Sequence, residues 1–142
     1  MVDFITKDKR SNIMKNIRSK NTKLEIKFRK ELWQKGLRGY RIYYKLPGKP
    51  DVVFTKYKLA IFIDGDFWHG YNWKVRGKIP PNKQWQDKIQ KNIDRDKKID
   101  EKLRESSWVV IRFWEHEINE NIDECLNIVK INIIKAKTAQ TP

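Results

Sequence analysis

The spacing of apolar residues changes along the chain and predicts where helices and strands form. Leu24, Phe28 and Leu32 recur at every fourth position after a capping-box sequence at residues 22–25, and Gly36 provides a C-terminal stop. This pattern predicts a helix that ends near Gly36. Further helices are predicted over residues 11–18, 83–105 and 119–136.

Three short runs rich in β-branched and aromatic residues predict neighbouring strands over residues 40–45, 51–55 and 58–64. A tight turn at Lys56-Tyr57 predicts antiparallel pairing of the last two. A fourth strand is predicted over residues 108–113, where an apolar run interrupted only by Arg112 indicates an interior position. Residues 65–82 contain glycine and proline without a period, so they predict a long surface loop.

The order of these elements predicts an α/β fold in which helices flank a central four-stranded mixed sheet. A chain of 142 residues fits one domain that buries its own core. We assign this domain to residues 11–136, with a flexible basic arm at residues 1–10 and a disordered tail at residues 137–142.

The chain is strongly basic, and this charge indicates the kind of partner that it binds. The 32 Lys and Arg against 18 Asp and Glu give a formal net charge of +14, which favours nucleic acid through neutralisation of its phosphates. An anionic membrane would attract the same charge, but no long apolar run or signal-like segment accompanies it. We therefore expect a DNA partner, a monomer and no membrane association.

Cys125 is the single cysteine of the chain. One cysteine excludes an intramolecular disulfide and a zinc site built from several cysteines, and it fits a reducing cytoplasm. Cys125 continues an apolar pattern, so we expect a small buried side chain with no chemical role.

Two aspartates are expected at the rim of the sheet, where functional sites commonly lie. Asp51 opens one strand and Asp64 ends the next, so antiparallel pairing would bring their carboxylates together. Such a pair can hold one or two magnesium ions, which bind carboxylate, water and phosphate oxygens. The alternative is two aspartates that only favour turns.

His69 follows two aromatic residues on a loop flanked by glycines, and a neutral imidazole there would accept the proton of an attacking water. A solvated histidine without a role is the alternative. Asp96 lies inside the apolar stripe of its helix, where a carboxylate needs a partner. Asp96 and Asn92 share one edge and would orient His69, whereas an ion pair between Asp96 and Arg112 is the alternative.

Glu25 and the aromatic residues each permit two interpretations. Glu25 would serve the capping box of its own helix, or its carboxylate would hold a water at the metal. Phe67, Trp68 and Trp85 would insert between base steps of a duplex, with core burial as the alternative for Trp85.

The order and spacing of several motifs resemble those of the very-short-patch repair (Vsr) endonucleases over about residues 8–118. The motifs are Arg10-Ser11-x-x-Met14, Thr22-x-x-Glu25, Leu46-Pro47-Gly48-Lys49-Pro50-Asp51, Asp64-Gly65-x-Phe67-Trp68-His69 and Lys91-Asn92-x-x-Arg95-Asp96.

This resemblance implies a restriction-endonuclease-like core, of the PD-(D/E)xK type, and magnesium-dependent nicking of DNA beside a thymine mispaired with guanine. Asp51 would be the principal metal ligand, with the main-chain carbonyl of Ile63 beside it. His69 would be the general base and Asp96 its orienter. The resemblance further assigns Glu25 to a water at the metal and the rings of Phe67, Trp68 and Trp85 to the mismatch. Independently of the resemblance, we expect Asn92 to belong to the site, and we expect DNA contacts from Arg10, Lys15, Lys49 and Arg95.

The sequence departs from the better-known members of this family at three points. Those members hold a structural zinc with cysteines and a histidine near the aromatic loop, whereas this chain can offer only Asp66, His69 and His116. We therefore expect no structural zinc. Asp64 stands where those members have a histidine, and no lysine follows Asp64 in the usual nuclease signature, so His69 has to fill that role.

The sequence thus predicts a magnesium-dependent endonuclease of bacterial, phage or mobile-element origin that nicks one strand at a T:G mismatch, leaving a 5′-phosphate. Mismatch-repair proteins are possible partners. Two alternatives stay open: a restriction or nicking enzyme of the same fold without mismatch preference, and a non-catalytic basic DNA-binding module.

Overall fold

A computed structural model describes residues 22–140, so the predicted arm at residues 1–10 and helix at residues 11–18, with Arg10 and Lys15, lie outside the described part. The described chain forms α1 (Lys23–Gln34), β1 (Val52–Phe54), β2 (Leu59–Asp64), α2 (Tyr71–Lys74), α3 (Lys83–Glu105), β3 (Val109–Trp114), α4 (Glu115–Glu120) and α5 (Ile122–Gln140).

The sheet is mixed, and β2 is its central strand. β1 pairs antiparallel with β2, with Val52 opposite Ile61, and β3 pairs parallel with β2, with Ile111 opposite Ile61. The predicted antiparallel pair is therefore confirmed. Its connection is a 3₁₀ turn at Thr55–Tyr57, closed by Lys58 in the left-handed conformation at φ 51°.

The predicted four-stranded sheet is corrected to three strands within residues 22–140. The segment at residues 40–45 makes one bridge to the sheet, between Arg41 and Val53, and then leaves it. Tyr43 has φ 58°, which ends the extended backbone, and its side chain is exposed. The prediction that β3 is interior is also wrong, because β2 takes that position.

The C-terminal helical region is divided differently from the prediction of one helix over residues 119–136. The side chain of Glu117 accepts from the Trp114 N–H at 2.9 Å and caps the short α4. After Asn121 the chain starts α5, which continues past residue 136 to Gln140, into the segment expected to be a disordered tail.

Helices cover both faces of the sheet. On one face α1, α4 and α5 bury Phe28, Phe113 and Ile118 against it, and Cys125 joins this cluster at 2% exposure, as predicted. Burial raises the pKa of Cys125 to about 11, so its thiol stays protonated. On the other face α3 packs Leu103 against Ala60 and Phe62.

Among residues 22–140, no helix combines the length and the apolar character that a membrane crossing requires.

Candidate active site

Asp51 lies where the chain enters β1, beside the end of β2. Its N–H donates to the carbonyl of Ile61 at 2.9 Å, and its Oδ2 accepts from the N–H of Ile63 at 2.7 Å. The preceding turn rests on α3, because a Cβ on Gly48 would come within 2.7 Å of the Ile99 side chain. The Asp51 carboxylate is thus fixed next to Ile63, as the predicted strand pairing required.

Asp64 ends β2 with a side chain that is 5% exposed. Both of its oxygens accept from Arg112 Nη1, at 3.0 and 3.1 Å. Burial raises the pKa of the Asp64 carboxyl, and the Arg112 and His69 charges oppose that shift. The nearest positive charge to the Asp64 carboxylate is therefore the Arg112 guanidinium, which comes from the neighbouring strand β3.

Arg112 bridges several carboxylates at the middle of the site. It donates to Asp100 through Nη2 at 2.7 Å and through Nε at 2.9 Å, and its Nη1 lies 3.8 Å from Asp96 Oδ1. Its guanidinium also lies over the Phe62 ring, with Cζ 4.1 Å from the centroid. Arg112 therefore neutralises acids from both β2 and α3.

His69 and Asp96 form the shortest polar contact of the site, with Nδ1 2.6 Å from Oδ2. Because an ionised carboxylate only accepts hydrogen bonds, Nδ1 carries the proton and Nε2 is left as the basic nitrogen. Burial lowers the pKa of His69, but the Asp96 hydrogen bond and the charges of Asp64 and Asp96 outweigh it, so the pKa is raised. The predicted pairing of His69 with Asp96 is present, and so is a longer contact between Asp96 and Arg112.

Asp64, His69 and Asp96 each offer a ligand atom within 4.8 Å of the others. Oxygen donors of this kind suit a hard divalent cation. Asp51 and Glu25 lie outside this group of three. Glu25 lies in the first turn of α1, where its N–H donates to the Thr22 hydroxyl at 3.2 Å and its carboxylate lies 3.9 Å from Arg29 Nη1.

The aromatic loop, residues 65–70, carries His69 and is held against α3. Asn92 donates through Nδ2 to the carbonyl of Trp68 at 3.0 Å. The Oδ1 of Asn92 accepts a hydrogen bond from Arg95 Nη2 at 3.0 Å. Asn92 therefore holds the backbone beside His69, which differs from its predicted contact with the imidazole ring.

Phe67, Trp68 and Trp85 form a ring triangle on the surface beside His69. Their ring centroids lie 5.0 to 5.6 Å apart. All three are partly exposed, and Lys88 Nζ lies 5.1 Å from the Trp68 centroid. Trp85 packs within this triangle and belongs to neither core cluster, which disfavours simple core burial.

Arg112 and Asp100 also belong to this site, although no motif in the sequence assigns them to it. The available signal was a single arginine inside the apolar run of β3. A charged residue at such a position needs partners, and two acids on one edge of α3 could supply them.

A mixed sheet between helices, with carboxylates at one edge, is typical of restriction-endonuclease-like nucleases. Residues 2–75 match the model of the family described as "DNA mismatch endonuclease Vsr". The chain belongs to this family of DNA endonucleases.

Three relatives illustrate the similarity. The type II nicking enzyme V.NmeDIP of Neisseria meningitidis serogroup C is 38% identical over 131 residues, covering 91% of this chain and 88% of the relative. The type II nicking enzyme V.HpaIIP of Haemophilus parainfluenzae is 42% identical over 123 residues, covering 84% and 87%. The DNA mismatch endonuclease Vsr of Escherichia coli is 35% identical over 118 residues, covering 81% and 74%.

Proposed function

We propose that the protein nicks one strand of duplex DNA at or next to a T:G mismatch, in a magnesium-dependent reaction that leaves a 5′-phosphate. The observation that carries this proposal is the 2.6 Å hydrogen bond between His69 Nδ1 and Asp96 Oδ2. It leaves an imidazole nitrogen available as a base beside a carboxylate-rich rim and next to partly exposed aromatic rings.

His69 acts as the general base in this proposal. Its Nε2 accepts the proton of the water that attacks the scissile phosphate, and the resulting imidazolium is stabilised by Asp96. The loop backbone fixes the direction of the ring, because Asn92 holds the carbonyl of Trp68 immediately before His69. A proton acceptor held in this way needs little reorganisation during the reaction.

Asp51, the main-chain carbonyl of Ile63 and Asp64 would hold the magnesium ion. When bound, the ion supplies positive charge to the phosphate as it becomes more negative. The hydrogen bond from the Ile63 N–H to Asp51 supports this assignment, because it keeps two of the proposed donor residues adjacent. Glu25, which is buried in α1, is the proposed contact to a water at the same ion.

The ring triangle of Phe67, Trp68 and Trp85 is the proposed sensor of the mismatch. Rings that enter between base steps must first unstack them, and a mispaired step is easier to open than a paired one. Basic side chains would contact phosphates and hold the register. The candidates are Lys49, Lys88 and Arg95 in the described part, together with Arg10 and Lys15 outside it.

The test is the nicking of an end-labelled T:G duplex and of the same duplex fully paired, with and without magnesium. We expect nicking of the mispaired strand only with magnesium. Asp51→Ala and His69→Ala should each reduce the rate by about 100-fold or more. Asp123→Asn changes an exposed carboxylate on α5 and is the control, expected to match the wild type. An Asp51→Ala variant that nicks as fast as the wild type would contradict the assignment.

A nicking enzyme of the same fold without mismatch preference is the second candidate. The names of the relatives favour it, because V.NmeDIP and V.HpaIIP are named type II nicking enzymes. Equal cutting of the paired and mispaired duplexes would support this candidate over the first. A purely DNA-binding role is disfavoured by membership in an endonuclease family.

A further inference from the structure

Asp66 is a buried carboxylate that the proposed reaction does not use. Within residues 22–140 the buried polar side chains are Glu25, Asp64 and Asp66, and Asp66 is 6% exposed. Burying a carboxylate is costly unless charges and hydrogen bonds surround it. Its surroundings therefore indicate what the position does.

Every polar group of Asp66 is engaged, and the partners come from separate elements. Oδ1 lies 2.9 Å from His116 Nδ1, and Oδ2 lies 3.5 Å from Arg76 Nη1. The Asp66 N–H donates to Glu115 Oε1 at 2.9 Å, and its carbonyl accepts from the Asn72 N–H at 3.0 Å. These contacts tie the aromatic loop to α4 on one side and to α2 on the other.

Tyr71 fixes the orientation of the histidine in this cluster. Its ring centroid lies 4.4 Å from that of His116 and 5.0 Å from that of Trp114. The Arg76 guanidinium also lies over the Tyr71 ring, with Cζ 4.9 Å from the centroid. The His116 imidazole therefore packs on Tyr71 while its Nδ1 faces Asp66.

The cluster does not match the zinc site of the better-known family members. Cys125, the single cysteine, is buried in α5 among core residues. His69 is bound to Asp96, so it does not join Asp66 and His116. Within residues 22–140 the one group of three potential metal ligands comprises Asp64, His69 and Asp96, without Asp66 or His116.

We propose that Asp66, His116, Glu115 and Arg76, here called the loop anchor, position the aromatic loop through hydrogen bonds and ion pairs in place of a structural zinc. Within the anchor, Asp66 lies immediately before Phe67 and Trp68 and three positions before His69. The far end of the loop is held by Asn92 and by the contact of Gly70 with α3. The near end thus presents the rings, whereas the Asp96 and Asn92 contacts from α3 hold the base independently of the anchor, and in this respect the inference rests on the proposed function.

The first test is a metal measurement on the full chain, purified without added metal. We expect inductively coupled plasma mass spectrometry to find far less than one zinc per chain. The Tm should be the same with and without a zinc-selective chelator. One zinc per chain, together with a Tm that falls on chelation, would overturn the proposal.

The second test compares two substitutions of His116. Asparagine retains an N–H near the position of Nδ1 but is a poor zinc ligand, whereas leucine fills space without any donor. We expect His116→Leu to lower the Tm by about 3–8 °C and His116→Asn to recover most of that loss. Equal losses in both variants would contradict a hydrogen-bonded anchor. Asp123→Asn is again the control, and its Tm should change by no more than about 2 °C, since it removes only an exposed charge in the first turn of α5.

The third test separates positioning from general destabilisation. At a temperature where all variants are folded, nicking is measured on a T:G duplex and on a duplex whose target step is already opened by an unpaired gap. His116→Leu should lose about tenfold on the T:G duplex but much less on the opened one, because the rings no longer have to unstack it. An equal loss on both overturns the positioning role. If the wild type nicks neither duplex, the proposed function fails, while the metal and Tm measurements still decide whether the anchor exists.

Discussion

At the scale of single residues, Arg112 holds the acids of the site together, since its guanidinium contacts Asp64 and Asp100 and lies 3.8 Å from Asp96. We expect Arg112→Leu to reduce the free energy of unfolding at neutral pH by about 3–5 kcal/mol, because buried carboxylates lose their counter-charge. Urea titrations of variant and wild type measure this difference.

The loss of unfolding free energy caused by Arg112→Leu should become smaller at acidic pH. Burial already raises the pKa of Asp64, and loss of the guanidinium raises it further, so the folded variant takes up a proton more readily than the unfolded chain. The difference in unfolding free energy between variant and wild type should therefore be smaller at pH 5.5 than at pH 7.5. If the difference in unfolding free energy were larger at pH 5.5 than at pH 7.5, the unpaired Asp64 carboxylate would not be the cause of the instability.

Asp96 has a separate effect on the pH dependence of nicking. His69 works as a base only when neutral, and Asp96 raises its pKa, so wild-type activity should rise through a midpoint above the ordinary value of 6.5. Asp96→Asn removes that influence and should move the midpoint to lower pH while kcat falls by about 100-fold. Asp94→Asn, an exposed neighbour on the same helix, should change neither quantity.

The pairing of His69 with Asp96 could be anticipated from the sequence because both positions had a local signal. His69 stands on a glycine-flanked loop, and Asp96 interrupts an apolar helical stripe. The several acids around Arg112 could not be anticipated in the same way. Which acid an arginine pairs with depends on the parallel register of β2 and β3, in which Arg112 lies opposite Phe62.

At the scale of elements, the docking of the aromatic loop on α3 depends on Gly70. Gly70 has φ 89°, and a Cβ there would come within 2.6 Å of Ile93 Cδ1. Gly70→Ala should lower the free energy of unfolding by about 1–3 kcal/mol and slow nicking, because the loop must move away from the helix.

A rescue experiment identifies the cause of that loss. Ile93→Ala removes the side chain that the new methyl group meets, so the double variant should be more stable than the sum of the two single losses predicts. Additive losses would show that backbone strain at Gly70 alone accounts for the effect. Chemical denaturation of all four proteins gives the required comparison.

The elements themselves were predicted best where pattern and burial coincide. Helix α3 has the predicted bounds, because its apolar stripe is long and Asn82 caps its start. The strand predicted over residues 40–45 is wrong. Its aromatic residues suggested a strand, but Tyr43 and Tyr44 are exposed. Composition alone does not distinguish a buried strand from an exposed aromatic loop.

At the scale of the whole molecule, the formal charge of +14 should make DNA binding strongly dependent on salt. Lys88→Gln, on the exposed side of the ring triangle, should weaken binding to all duplexes equally and reduce the slope of log K against log salt by about one. Trp68→Ala should instead leave that slope unchanged and lose the preference for T:G. Fluorescence anisotropy on paired and mispaired duplexes across a salt series measures both. Loss of T:G preference with Lys88→Gln would assign mismatch recognition to charge and not to the rings.

The hydrogen bond between Asp66 and His116 contains no group that is sensitive to oxidation. Cysteine ligands of zinc are lost when their thiolates are oxidised, but a carboxylate and an imidazole have no sulfur for peroxide to attack. The single thiol of the chain is buried, and its pKa is raised to about 11, so little of it is in the reactive thiolate form. A loop held in this way should tolerate oxidants and zinc starvation, two stresses that would release a loop held by cysteines and zinc.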